Sequence, residues 1–402
     1  MTDTIDAFVY TGVRTPFGRH AGSLAPVRPD DLLAGSIRSL VERGPFSSGD
    51  IEDVVIGCTN QAGEDSRNIA RRAALLAGLP FEVAGLTLNR LCASGLAAVV
   101  DAGRAVACGQ GDLFIAGGVE SMSRAPLVMG KSDRAYGRQV QVFDSTLGSR
   151  FPNPRQTAVC GDHAMAETAE EVAKDLGIER SDSDVFAEGS QGKYESAKAT
   201  GFFADEIHAV EVPGKKGQAT TVVDDEHPRA GTTVDTLSRL RPLFEDGVVT
   251  AGNASGINDG AVSLFVGSRA VGERVGAAPL ARIVSAGAAG VEPRVMGLGP
   301  VPASKKALAR AGLELGDMDV IEINEAFATQ VLGCLKLMEL DAADSRLNPN
   351  GGAIAVGHPL GASGARLALT AVRQLQRTDG RYALVTLCIG VGQGLAAVLE
   401  RV

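Results

Sequence analysis

ASGLAAVVDAGRAVACGQG (93–111) and ASGARLALTAVRQLQRTDG (362–380) are the two stretches whose reading decides the fold. Each opens on Ala-Ser-Gly, continues through a helical apolar pattern and ends at a glycine. The offset is 269 residues at both ends, with no gap between them. Each then enters a continuous apolar run, DLFIAGG (112–118) or RYALVTLC (381–388). Short apolar runs of this kind mark strands buried on both faces. Upstream, DVVIGCTNQAG (53–63) resembles DVIEINEAFAT (319–329) at an offset of 266 residues. Chance similarity between Ala/Gly-rich segments is the competing account. Common order, common spacing and a shared strand–helix–strand pattern favour a duplicated, layered α/β unit instead.

On this alignment Asn89 falls opposite His358, and Cys92 opposite Gly361. Equivalent strand-to-helix turns from the two halves would then face one another across a pseudo-two-fold. NPNGGAIAVGHPLGASGARLAL (348–369) gathers five glycines around His358. Glycine serves where backbone needs φ > 0 or close approach, and a histidine held there can act as a general base near neutral pH. Cys92 ends one strand and begins a helix, where the helix dipole and free N–H groups favour a thiolate and can bind an oxyanion. Most cysteines are simply buried small hydrophobes; the histidine at the matching turn argues for chemistry here. Cys388, in TLCIGVGQG (386–394), is a second thiol at a strand end, followed by glycines that should leave its surroundings open. GVGQG is no dinucleotide loop, because LAAVL (395–399) is too short for the helix such a loop requires. Asn324 and Glu325 follow a buried strand as either a turn cap or site groups.

A chain of 402 residues is long for one core. Between the halves, residues 121–250 carry Arg134, Arg138, Arg150, Arg155, Lys215, Lys216 and Arg229, although the whole chain has a net charge of −9. This stretch has the character of an inserted loop domain whose basic groups suit an anionic ligand; solvated surface is the alternative for each one. The net acidity argues against non-specific nucleic-acid or membrane binding. No uncharged apolar run reaches the roughly 18 residues that span a bilayer, and the N-terminus has no leader pattern. Six cysteines form no CxxC pair and have no histidine at ligand spacing, so no metal is expected. A cytoplasmic location with free thiols follows. Asp30 or Asp31 is expected to cap a helix that Gly44 ends.

With NRLCASG (89–95), GGVESMSRAP (117–126), TAGNASGINDGA (250–261), NEAFA (324–328), GHPLGASGAR (357–366) and CIGVGQG (388–394) in order, the chain resembles the thiolase family from end to end. The resemblance implies two homologous βαβαβαββ-type halves in five αβαβα layers with an inserted loop domain. It suggests residues 1–120, completed by 251–276, for the N-terminal half, 121–250 for a loop domain that binds coenzyme A, and 277–402 for the C-terminal half. It further implies a homotetramer built from two dimers, with coenzyme A and acyl-CoA as substrates and no permanently bound cofactor.

Carried over by motif, Cys92 is the nucleophile, His358 takes its proton, and Cys388 exchanges the proton at the α-carbon of the second acyl-CoA. One oxyanion hole would combine His358 with a water held by Asn324; the other would use the N–H groups of Cys92 and Gly390. Coenzyme A contacts are implied at Met165, Arg229, Phe244, Ser255 and Phe327. Two departures stand out: TAEE places Glu171 where the family has asparagine, and His163 lies two residues before Met165 rather than one. Residues 57–80, 127–137 and 143–154 resemble the thiolases that act on 3-oxoadipyl-CoA, whose chain ends in a carboxylate. Arg134, Arg138, Arg150 and Arg155 are the cations available to pair with it. An acetoacetyl-CoA thiolase is the alternative. A decarboxylating ketoacyl synthase would replace Cys388 by His or Asn, and an inactive binding protein would have lost one of the three reactive side chains.

Overall fold

The computed structural model describes residues 7–214 and 218–402; Lys215 and Lys216 lie outside the described residues. Nine strands set the frame. They are β1 (Ala7–Arg14), β2 (Asp53–Gly57), β3 (Ala84–Leu88), β4 (Leu113–Ser121), β5 (Asn258–Gly267), β6 (Ala281–Gly290), β7 (Val320–Ile323), β8 (Tyr382–Ile389) and β9 (Gln393–Arg401). In the first half the order is β3-β2-β4-β5-β1; in the second, β7-β8-β9-β6. The two sequences of strands mirror one another. Both have a parallel pair next to antiparallel ones, and the counterpart of β3 is reduced to a single bridge between Ile321 and Leu347. The halves meet where Ala7–Val9 pairs antiparallel with Ala281–Ile283, which makes one continuous hydrogen-bonded sheet.

Helices α1 (Pro29–Arg43) and α2 (Ile69–Leu76) cover one outer face, burying Leu33, Ile37, Leu40 and Ile69 against Val54, Ile56 and Phe265. The repeated stretches form α3 (Ser94–Ala107) and, in the second half, α8 (Leu360–Thr378). These two lie between the sheet halves, with Leu96, Val99, Leu367 and Leu369 packed against Val55, Val262, Leu387 and Leu399. On the other outer face α6 (Pro300–Ala311) and α7 (Ala328–Met338) bury Ala303, Val331 and Leu335 against Ile321, Leu384 and Val398. Three cores separated by the two halves of the sheet make the five layers, because each half has two apolar faces to cover.

The shared Ala-Ser-Gly has a packing cause. A Cβ on Gly95 would lie 2.6 Å from the Gly361 carbonyl oxygen, and one on Gly364 would lie 2.4 Å from the Leu96 nitrogen. Only glycine lets these two backbones cross so closely. In α1 the cap expectation is corrected: Arg28 is the N-cap, Pro29 takes the first position, and Asp30 and Asp31 sit in the first turn. Proline suits that position because its missing N–H would have no partner anyway, and acidic groups in the first turn oppose the helix dipole.

Between β4 and β5 run α4 (Met165–Leu176), α5 (Arg180–Ala199) and two small ribbons, Leu127–Met129 with Val142–Asp144 and Val210–Pro213 with Ala219–Val222. A buried charge network fastens this insert to β1. Arg14 donates from Nε to Glu206 at 3.0 Å and from Nη1 and Nη2 to Asp225 at 2.7 and 2.9 Å, and the Tyr194 hydroxyl adds a bond to Asp225 at 3.1 Å. Glu171, the departure in TAEE, is bonded by Arg294 Nη1 at 2.7 Å and so ties α4 to the second half.

Candidate active site

The turn into α3 is tight. Leu91 takes φ +47°, Asn89 Oδ1 accepts the Leu91 N–H at 2.8 Å, and Ser94 Oγ accepts the Arg90 N–H at 2.8 Å. This holds Cys92 at the mouth of the helix, half-buried and free. The turn after β8 comes up to it: a Cβ built on Gly390 would lie 3.4 Å from Leu91 Cδ1 and 3.6 Å from Met165 Sδ. The Gly390 N–H and the N–H of Cys92 itself both point to the Cys92 sulfur and pull its pKa down. Burial works the other way and prevails, raising that thiol to about 11. The expectation of a resting thiolate from the helix dipole is therefore corrected: packing around the sulfur outweighs a partial charge at a helix end, and Cys92 rests protonated. For such a thiol to attack, a base would have to take its proton.

His358 has the features of that base. It is buried, at 4% exposure, and burial with the nearby Arg366 charge lowers its pKa to about 4, so it is neutral at pH 7. Its tautomer follows from its neighbours. Ser363 Oγ donates its one proton to the Pro359 carbonyl at 3.0 Å, so it accepts from His358 Nδ1–H at 2.6 Å. Nε2 is left with its lone pair, facing Asn324 Nδ2 at 3.4 Å. Asn258 Oδ1 fixes the His358 backbone N–H at 2.9 Å, and Gly357, at φ +106°, is packed against the same Asn258 amide. A side chain at 357 would meet that amide and a forbidden φ together.

The pair Asn324–Glu325 splits its roles. Asn324 faces His358, and its buried Oδ1 has no partner among the described residues. Glu325 is a brace, accepting from Ser190 Oγ at 2.7 Å, Asn348 Nδ2 at 2.8 Å and the Ile354 N–H at 3.1 Å. Cys388 is fully buried in a cluster with Met296 and Ala326, against which Met165 and Phe327 pack. This corrects the open setting expected from the glycines that follow it; they shape the turn to β9 rather than uncover the sulfur. Burial and the neighbouring Cys92 push the Cys388 thiol well above its ordinary value, so it can hold and deliver a proton.

Ser255 donates its N–H to Ala326 O at 2.9 Å, and its neighbour Ala254 bridges to Phe327, which brings Ser255, Phe327, Met165 and Cys388 to one wall. Arg229 is exposed, and among the described residues it is held through its backbone, by Gln191 Oε1 at 3.0 Å and the Thr232 hydroxyl at 2.7 Å. Phe244 lines a surface cleft of about 560 Å³ with His163, Lys174 and the carboxylates of Glu167, Glu170 and Glu171. The structure does not draw Arg229 or Phe244 into contact with the thiols' immediate surroundings. Ser363, Asn258 and Glu120 were not singled out from sequence. Glu120 is buried and joins both halves, accepting from Thr59 N–H at 3.0 Å, Asn60 N–H at 3.1 Å and Gly361 N–H at 2.9 Å. The signal for it lay in the motif GGVESM, where an acid sits in an otherwise apolar strand. Cys58 and Asp65 lie beside Glu120, whose two oxygens are already engaged by those N–H groups.

Residues 7–270 match the model of the thiolase N-terminal domain, and residues 277–401 that of the thiolase C-terminal domain. The chain is 55% identical to the 3-oxoadipyl-CoA/3-oxo-5,6-dehydrosuberyl-CoA thiolase of Escherichia coli K12, over 99% of this chain and 100% of that one. It is 52% identical to a beta-ketoadipyl-CoA thiolase of Acinetobacter baylyi, over 98% and 99%. The crystal structure of the Bacillus anthracis acetyl-CoA acetyltransferase superposes with a TM-score of 0.92 at 35% identity, covering both chains fully.

Proposed function

The chain belongs to the thiolase family of acyltransferases, and on that premise we propose that it cleaves 3-oxoadipyl-CoA with coenzyme A to acetyl-CoA and succinyl-CoA. The names of the relatives that match over the whole length support this substrate. The observation that carries the chemistry is the approach of the Cys92 turn in the first half to the Cys388–Gly390 turn in the second, where the Gly390 N–H reaches the Cys92 sulfur and Cys388 neighbours Cys92, while Asn258 of the first half holds the His358 N–H at 2.9 Å.

In this reading Cys92 attacks the 3-oxo carbon while His358 Nε2 takes its proton. The N–H groups of Cys92 and Gly390 hold the oxyanion that forms, fixed donors being worth most where charge develops. The C2–C3 bond then breaks, and the electron pair passes to the α-carbon of acetyl-CoA as an enolate, which His358 and a water on Asn324 stabilise. Cys388 gives its proton to that carbon. Coenzyme A thiol next gives its proton to the Cys388 thiolate and attacks the succinyl-Cys92 thioester, and the departing Cys92 sulfur takes back the proton held on His358 Nε2. Splitting the reaction through an acyl-cysteine replaces one difficult step by two easier ones.

Residues 121–250 serve as the loop domain for coenzyme A, with Ser255, Met165 and Phe327 lining the pantetheine and Arg229 and Phe244 farther out. Exposed apolar side chains on the β3 edge and the first ribbon, among them Phe81, Leu86, Leu127 and Met129, suit contacts between copies in a homotetramer. Among the described residues no helix is long and apolar enough to cross a membrane, which agrees with a cytoplasmic place of work. The test is kcat/KM for thiolysis of 3-oxoadipyl-CoA against acetoacetyl-CoA. Preference for the dicarboxylic chain is expected; equal values, or preference for the four-carbon substrate, would overturn the assignment.

A further inference from the structure

We propose that Arg150 is the specificity-determining cation that receives the terminal carboxylate of the acyl chain; the inference rests on the dicarboxylic substrate proposed above. Of the four loop arginines available for this task, Arg134, Arg138 and Arg155 are exposed, and Arg150 is half-buried. Its Nη1 donates to Asn60 Oδ1 at 3.0 Å. Asn60 is itself fixed on three sides: its N–H is on Glu120 Oε1 at 3.1 Å, its Nδ2 on Ser145 Oγ at 3.1 Å, and its Oδ1 under Arg150.

That anchor belongs to the site's own frame. The other oxygen of Glu120 holds the Gly361 N–H at 2.9 Å, three residues beyond His358. Thr59, beside Asn60, accepts on its carbonyl from Asn89 Nδ2 at 2.9 Å, three residues before Cys92. The Arg150 guanidinium is thus pinned to the turn that buttresses both halves of the catalytic centre.

The charge is also uncommitted. Arg124, on the same insert, is taken by Glu64 at 2.7 Å. Among the described residues no carboxylate oxygen lies within the 4.0 Å ion-pair distance of the Arg150 guanidinium. With Nη1 on a neutral amide, Nε and Nη2 remain as two parallel donors, the edge that matches a carboxylate bidentately. A partly buried cation with no carboxylate at ion-pair distance among the described residues, felt by the buried Asp65 only from beyond 4.0 Å, is in a chain of net charge −9 a poor choice for structure alone. It suits an anion that arrives with substrate, two methylenes beyond the reacting carbonyl.

Arg90, half-buried on the Cys92 turn itself, is the rival cation; its guanidinium makes no hydrogen bond among the described residues. The experiment measures kcat/KM for 3-oxoadipyl-CoA and for 3-oxohexanoyl-CoA, a chain of equal length that ends in methyl, in wild type, Arg150→Ala, Arg150→Lys and Arg90→Ala. A charge-assisted contact predicts that Arg150→Ala lowers the ratio of the two by about 10- to 100-fold, and that Arg150→Lys regains part of it. Arg150→Gln carries the comparison if the alanine variant does not fold. A ratio within threefold of wild type in the Arg150 variants, or a collapse of the ratio in Arg90→Ala instead, overturns the assignment. A wild type that already prefers 3-oxohexanoyl-CoA would instead overturn the substrate reading on which it rests.

Discussion

Ser363→Ala isolates the tautomer of His358. In the native site the Ser363 hydroxyl gives its proton to Pro359 O and accepts from His358 Nδ1–H. Alanine leaves that N–H buried without an acceptor, a penalty of about 1–3 kcal/mol. The penalty falls on the tautomer with its proton on Nδ1, which loses ground to the form protonated on Nε2, a form that sets an N–H against the Asn324 Nδ2 donor and cannot take a proton from Cys92. At about 2 kcal/mol the equilibrium that favours the working tautomer falls about 30-fold, since about 1.4 kcal/mol is a factor of ten. Acylation of Cys92, followed by rapid quench and mass spectrometry with acetyl-CoA, should slow by about 10- to 100-fold, whereas Ser363→Thr keeps a hydroxyl and most of the rate. Raising the pH should not restore the alanine variant: the native His358 pKa is about 4, so the ring is neutral from pH 6 to 9 in either tautomer. An acylation rate within threefold of wild type, or recovery with rising pH, would refute the reasoning.

Gly364→Ala should cost about 1–3 kcal/mol or more, because its Cβ would press on the Leu96 backbone nitrogen at 2.4 Å. Urea denaturation measures it, and Gly189→Ala, at an exposed position inside α5 with nothing within 4 Å, should instead gain about 0.5–1 kcal/mol. Equal effects of the two would remove the close crossing of α3 and α8 from the account of the fold. Cys388→Ser should still form acyl-Cys92 but lose most exchange of the α-proton of acetyl-CoA into deuterated water, read by NMR. Undiminished exchange would take the proton-transfer role from Cys388, whereas Cys92→Ser should keep the native circular dichroism and form no thioester.

What could be read from residues alone was whatever has a local or periodic signature. The two Ala-Ser-Gly helices, the apolar strands and the turns at Cys92 and His358 were legible because periodicity and glycine placement are written into short windows. Their duplication was legible because two such windows share one offset. The missing counterpart of β3 was not, since a lone bridge at Leu347 leaves no pattern. Ser363 lay within the quoted motif, yet a serine at a helix start looks like a capping group until His358 is seen opposite its oxygen.

The amino-acid order by itself determined two halves, a thiol and an imidazole at matching turns, and membership of one family's motifs. Only tertiary structure decided the charge states: burial makes Cys92 a thiol rather than a thiolate, closes protein around Cys388, and keeps His358 neutral with its lone pair on Nε2. Desolvation and hydrogen-bond partners come from residues hundreds of positions apart, and no local window contains them.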